Sequence, residues 1–149
     1  MNRTSSREIA VRLVFSISEN PSDPHDFLAD VFSESYYPSL KEEDNLYKDY
    51  PDAAQLGYIT RLVTGIFEHS AELDGYIEKH SVGWKFGRIS RTAVSIMKTA
   101  MFEVLYMPDI PDGAAINEAV ELSKRYETPE TVAFINGVLG GFIRAEKPM

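Results

Sequence analysis

Cysteine is absent from all 149 residues. Its absence excludes a disulfide scaffold, a thiolate metal site and a cysteine nucleophile, and it fits a reducing compartment, so a cytoplasmic location is expected. No apolar run approaches the roughly 20 residues needed to span a bilayer, so no membrane is expected. The opening stretch MNRTSSREIAVRLVF turns polar at Ser16 and lacks a small-residue cleavage site, which argues against a signal peptide. Patterns that carry chemistry are equally sparse. His25, His69 and His80 stand at no metal-ligand spacing, and no serine sits in a G-x-S-x-G turn. Gly137, Gly140 and Gly141 fall late in a helical stretch rather than between strand and helix, so they form no phosphate cradle. Glu118 and Glu121, three apart on a helix, read as solvated carboxylates. Together these absences predict no catalytic residue, no metal and no cofactor, and they leave binding as the function.

Positive charge is also scarce, with 15 Lys and Arg against 23 Asp and Glu and a formal charge of −8. Proteins that coat nucleic acid by bulk electrostatics are usually basic, so that mode is excluded. The distribution is uneven, however. Residues 19–50 hold nine acids against Lys41 and Lys48, whereas residues 1–15 hold Arg3, Arg7 and Arg12 against Glu8 alone. Between Lys79 and Phe102 there are five cations (Lys79, Lys85, Arg88, Arg91, Lys98) and no acid. Either these two basic segments bind a polyanion, or the acidic segment folds against them and cancels their field. Charge by itself leaves both open.

What the chain has in quantity is helical periodicity. An apolar fraction of 44% over 149 residues is enough for one domain with a real core. Ile9, Leu13 and Ile17 mark a first helix from about Ser5 to Glu19, capped by Ser5 or Ser6 and closed by Pro21 and Pro24. Phe27, Leu28, Val31 and Phe32 mark a shorter second helix, and residues 36–50, with Pro38 and a charged centre, read as a loop or a poorly formed helix. Leu56, Ile59, Val63 and Phe67 follow Pro51 as a third helix, with Asp52 near its start, and Leu73, Tyr76 and Ile77 mark a fourth that Gly83 ends. Ile89, Ala93, Ile96, Ala100 and Val104 define a fifth from about Ser90 to Tyr106, stopped by Pro108 and Pro111. Asp112 caps a sixth with the stripe Ile116, Ala119, Val120 and Ser123. Thr128-Pro129 opens a seventh that buries Ile135, Val138, Leu139 and Phe142. Strand signals are nearly absent. The expected fold is all-α, a compact bundle of about seven helices.

Four features bear on binding. Arg3 and Arg7, four apart, stack on one side of the first helix and oppose its dipole, which suggests a phosphate contact or a frayed turn that tolerates any residue. Asn117, Glu118 and Asn136 are polar among apolar neighbours; a hydrogen bond to backbone or to a neighbouring helix end is favoured over ligand contact. Phe134 lies one position off the seventh helix's apolar stripe, where it can stack an unpaired base or simply pack at the edge of the core. Trp84, the only tryptophan, sits between the fourth and fifth helices and is read as plugging the junction of two helical halves rather than reading a ligand.

Taken together these residues resemble the NusB family of bacterial transcription antitermination factors. The resemblance runs through most of the chain: REIAVRLVF near the start, Trp84…Arg88, Ala100…Glu103…Tyr106, DIP, AINEAVELSK and the terminal FINGVL. It implies a single domain over 1–149, built of two small helical subdomains at about 1–70 and 71–149, and no catalysis. It further implies binding of boxA RNA in ribosomal RNA leader transcripts, jointly with the small-subunit ribosomal protein NusE, and assembly with other Nus factors on RNA polymerase. By position it assigns Arg3, Arg7 and Phe15 of the first helix, and Glu130 and Phe134 at the last helix's start, to the RNA surface. Asn117, Glu118, Asn136 and Gly137 are assigned to holding the sixth and seventh helices. The family's run of arginines is diluted here to Arg3-Thr4-Ser5-Ser6-Arg7, its Pro-Tyr-Lys is Pro111-Asp112-Gly113, and its usual arginine in the fifth helix is Lys98. Fewer cations imply greater dependence on the ribosomal protein. Two other readings remain: the helical RNA-binding module of a ribosomal RNA cytosine methyltransferase, and a protein-interaction module without an RNA role. A homodimer that buries the basic N-terminus is compatible with all three.

Overall fold

The computed structural model describes residues 1–147, with every side chain among them except that of Phe86. Eight α-helices account for most of these residues, and there is no strand among them. Contacts divide the chain into two compact units, Met1–Phe67 and Glu68–Met149.

The first unit contains α1 (Arg3–Glu19), α2 (Pro24–Val31), α3 (Tyr37–Leu40), a 3-10 turn at Asn45–Tyr47 and α4 (Ala53–Glu68). Helix α1 starts earlier than Ser5, because Asn2 and not a serine is the cap: its Oδ1 accepts the Ser5 N–H at 2.8 Å. Ser6 lies within the helix, its hydroxyl donating to the Asn2 carbonyl at 2.9 Å. Pro24 opens α2 rather than closing α1; it follows the Asp23 cap, whose Oδ1 accepts the His25 and Asp26 N–H groups. Each such cap stabilises its helix by about 1 kcal/mol.

The charged segment 36–50 contains α3, the helix beyond the seven expected, and is held by tyrosines. Tyr37 is only 2% exposed and stacks on Phe32 at 5.4 Å, with Tyr50 at 5.2 Å and Tyr47 at 5.9 Å meeting it edge-on. The Tyr37 hydroxyl donates to the Asp49 carbonyl at 2.9 Å, and that of Tyr50 donates to the Phe32 carbonyl at 2.7 Å. Alternation signals cannot reveal such a knot, since its rings converge from irregular backbone.

The second unit contains α5 (Ser70–His80), a 3-10 turn at Phe86–Arg88, α6 (Arg91–Tyr106), α7 (Asp112–Tyr126) and α8 (Pro129–Glu146). Helix α6 is its centre. Every residue from Ser95 to Val104 is buried, and α5, α7 and α8 all pack on it. A helix buried on all sides must satisfy its polar groups locally. Ser95 donates to the Arg91 carbonyl and Thr99 to the Ser95 carbonyl, both at 2.9 Å. Ser90 caps α6 by accepting the Ala93 N–H at 3.0 Å, and Thr128 caps α8 by accepting that of Thr131 at 3.2 Å. Asp112 proves to be the first residue of α7, with Pro111 at the cap position. The α8 stripe Ile135, Val138, Leu139 and Phe142 is fully buried. Gly141 permits a close approach: a Cβ there would lie 3.1 Å from Nδ1 of His80 on α5.

Candidate nucleic-acid interface

In the first unit the α1 arginines divide by depth. Arg3 is half-buried, its Nε donating to Gln55 Oε1 at 3.0 Å and its guanidinium lying 4.0 Å over the Tyr58 ring of α4. Stacking flat on a ring leaves a guanidinium's edge nitrogens able to meet a phosphate. Arg7 lies one turn further in and is only 5% exposed, 5.6 Å over the same ring. Of the two arginines that the resemblance assigns to the RNA surface, Arg7 is thus the one with little exposure. Arg12 belongs to an ion-pair network, with Asp44 at 2.9 Å and Glu8 at 3.4 Å. Within this unit the acidic segment does fold against a basic one, at this contact. Phe15 of α1 is half-buried.

In the second unit the loop between α5 and α6 turns at Ser81-Val82-Gly83-Trp84, closed by the Trp84 N–H on the Ser81 carbonyl at 3.1 Å. Gly83 takes φ +81°, a backbone conformation that side chains disfavour, which is why glycine serves there. The turn sets the Trp84 ring against Phe134 of α8, with centroids 4.5 Å apart and planes inclined by 37°. Trp84 remains 37% exposed. Ser90, at the loop's other end, donates to Glu127 Oε1 at 2.5 Å. Glu130 is exposed in the first turn of α8, one turn before Phe134 and on the same face.

Of the five cations in this acid-free stretch, Lys79 pairs with Glu146 at 2.9 Å, Arg91 has partners of its own, and Lys98 is buried. Lys98 Nζ lies 2.7 Å from Asp74 Oδ1 and donates to the Ser70 hydroxyl at 2.8 Å. Lys85 and Arg88 are exposed, and no ion pair among the described residues engages either.

The resemblance assigns Asn117, Asn136 and Gly137 to holding α7 and α8. All three are exposed, and a Cβ at Gly137 would meet nothing within 4 Å. Asn136 lines an open groove with Val120, Lys124 and Val132. The buried residues of the two helices are Ala115, Ala119, Leu122 and Ser123 on α7 and the apolar stripe on α8. Glu118, half-buried, has an interaction partner.

Sequence patterns gave no sign of one other cluster. The Glu72 carboxylate accepts the Tyr106 hydroxyl at 2.6 Å and the Tyr76 hydroxyl at 3.2 Å, and it lies 3.3 Å from His69 Nδ1. The His69 ring stacks on Tyr106 at 4.3 Å. The hydrogen bond to Glu72, with desolvation behind it, pushes the Tyr106 phenol up to about 12. Tyr37 rises to about 12 as well, through burial first and then the neighbouring Tyr47 and Asp49. The cluster's members come from the α5 start and the α6 end, so only the packing of those helices reveals it.

Fold and surface first define a class: an all-α protein of two helical units, the first with a partly exposed arginine at the start of α1 and the second with an exposed tryptophan and two exposed cations in the α5–α6 loop. The comparisons then narrow the class. A family model described as the NusB family matches residues 4–144. Similar relatives include the transcription antitermination protein NusB of Clostridium novyi, 34% identical over 145 residues that span 97% of this chain and 100% of the relative. The protein of the same description from Acetivibrio thermocellus is 38% identical, over 98% of this chain and 91% of its own. A solved structure of T. maritima NusB shares the fold, with a TM-score of 0.77 over 97% of this chain and 92% of that one, at 24% identity. The chain belongs to the NusB family.

Proposed function

We propose that this chain is a transcription antitermination factor that binds boxA-type single-stranded RNA of ribosomal RNA leaders together with the ribosomal protein NusE. In this reading it joins the other Nus factors on RNA polymerase, acts in the cytoplasm and catalyses no reaction. The observation that carries the reading is the family match across residues 4–144, with relatives of that description matched along nearly their whole length. The same matches favour an antitermination factor over the RNA-binding module of a methyltransferase. Support also comes from each unit separately. The first offers the half-buried Arg3 and Phe15, and the second offers Phe134 beside the exposed Glu130. Single-stranded RNA is recognised by stacking and by polar contacts to base edges, which suits a modest cationic surface on an acidic protein.

The test is a fluorescence-anisotropy titration of labelled boxA RNA, with and without NusE. Binding is expected to be weak and salt-sensitive for the chain alone and tighter with NusE. Phe134→Ala is expected to weaken the ternary complex roughly tenfold, and Arg3→Ala to weaken it while lowering its salt dependence. Equal affinity for boxA and scrambled RNA in the presence of NusE would sink the sequence-specific reading.

A further inference from the structure

We propose that Trp84 is a base-stacking residue of the RNA surface, with Lys85 and Arg88 receiving the phosphates that flank the stacked base. This rests on the reading that the chain binds single-stranded RNA, and it extends the surface to a loop whose tryptophan is read from the sequence as structural.

The first ground is geometric. A large ring in a surface loop normally lies down on apolar neighbours, yet Trp84 stays 37% exposed while resting on Phe134 at 4.5 Å. Its indole is backed by Phe134, its backbone is held by the Gly83 turn through the Trp84 N–H bond to the Ser81 carbonyl, and the loop's far end is fastened through Ser90 to Glu127. A ring held in this way loses little freedom when a base stacks on it, so most of the stacking energy appears as affinity.

The second ground is charge. Lys85 and Arg88 lie one 3-10 turn apart, the Arg88 N–H donating to the Lys85 carbonyl at 2.9 Å, so the segment that follows Trp84 carries two exposed cations without an ion pair among the described residues. A ring followed by cations is the pattern of a base followed by its phosphodiester. Glu130, exposed one turn before Phe134, adds an acceptor suited to a base's amino or imino N–H, which a purely cationic patch lacks. An acidic peptide would meet the cations but leave the indole and the Glu130 carboxylate unused. Single-stranded RNA uses all of them.

Trp84 is the only tryptophan, so intrinsic fluorescence reads this residue alone. The experiment titrates wild-type protein, alone and with NusE, with boxA RNA, following tryptophan emission on the chain itself and anisotropy on the labelled RNA. RNA carrying a single abasic site at each position in turn is titrated in parallel. The expected result is quenching that saturates with the anisotropy and disappears for one abasic position, where affinity falls roughly tenfold. Trp84→Phe should retain most of the affinity and Trp84→Leu should lose about as much as the abasic site. The double substitution Lys85→Ala, Arg88→Ala should flatten the log K against log salt slope by roughly 1.4. Anisotropy binding with unchanged emission and no abasic-sensitive position would overturn the Trp84 assignment and leave the antitermination reading standing. Emission quenched by NusE alone, with no further change on adding RNA, would overturn it in favour of a protein contact. No RNA binding under any condition would remove the parent reading and this one with it. Because the abasic series uses the unaltered chain, a variant that fails to fold does not decide the outcome.

Discussion

At the scale of single residues, the structure separates side chains that spacing treats alike. Arg3 and Arg7 are four apart and share a face of α1, but Arg3 is half-buried whereas Arg7 lies in the fully buried run Ser6–Val11. Arg7→Ala should therefore act first on stability, lowering the unfolding free energy by about 2 kcal/mol through lost packing and a lost buried partner. Urea unfolding checks this, with Arg3→Ala expected to move the midpoint little. Lys98 behaves similarly. Its ammonium is held by Asp74 and Ser70, so Lys98→Met should cost about 1–2 kcal/mol, moderated because Asp74 keeps some solvent, while RNA affinity stays unchanged. Tyr37 and Tyr106 allow a pH prediction. Their folded-state values near 12 lie above the unfolded value near 10, so the folded chain binds these protons more tightly. Their contribution is complete below about pH 10 and is lost as pH climbs to about 12. Urea midpoints measured across that window should fall for the wild type and fall less steeply for Tyr106→Phe.

At the scale of elements, apolar periodicity located nearly every long helix, because a stripe at three- and four-residue spacing reports the buried face directly. The α8 stripe is the clearest instance, with all four of its apolar positions buried behind the Thr128-Pro129 start. Periodicity misplaced the ends where two capping residues compete, as Asn2 displaced Ser5 and Pro24 opened α2. It also missed α3, whose four residues are too few to show a period and are held by tyrosine contacts distant in sequence. Two substitutions test the assignments made here. Ser90→Ala removes both the α6 cap and the bond to Glu127, and should destabilise the protein by about 1–2 kcal/mol in urea unfolding. Gly137→Ala should instead stabilise it by about 0.5–1 kcal/mol, since the site is helical, exposed and open to a methyl group. A loss on Gly137→Ala would support the idea that this glycine holds α7 and α8 together.

For the whole molecule, the formal charge of −8 makes RNA binding depend on a few local cations rather than on a general field. If about three phosphates meet Arg3, Lys85 and Arg88, log K against log salt should have a slope of roughly −2 for the chain alone. Anisotropy titrations over a range of potassium chloride concentrations measure it, and a slope much steeper than that would require further cations, such as the exposed Lys41, Lys48 and Arg144, to meet phosphates. No helix among the described residues is long and apolar enough to cross a membrane.

The sequence by itself determined that this chain is helical, that α6 and α8 bear core stripes, and that the chain resembles the NusB family, since all three follow from local order along the chain. Which of its polar and aromatic side chains face outward was decided only by tertiary structure. Arg7, Lys98 and Tyr37 became interior because neighbouring helices and rings close over them. Trp84 became a supported surface ring because α8 brings Phe134 beneath it, 50 residues along the chain. Spacing records the direction a side chain leaves its own helix, but exposure depends on what else arrives there.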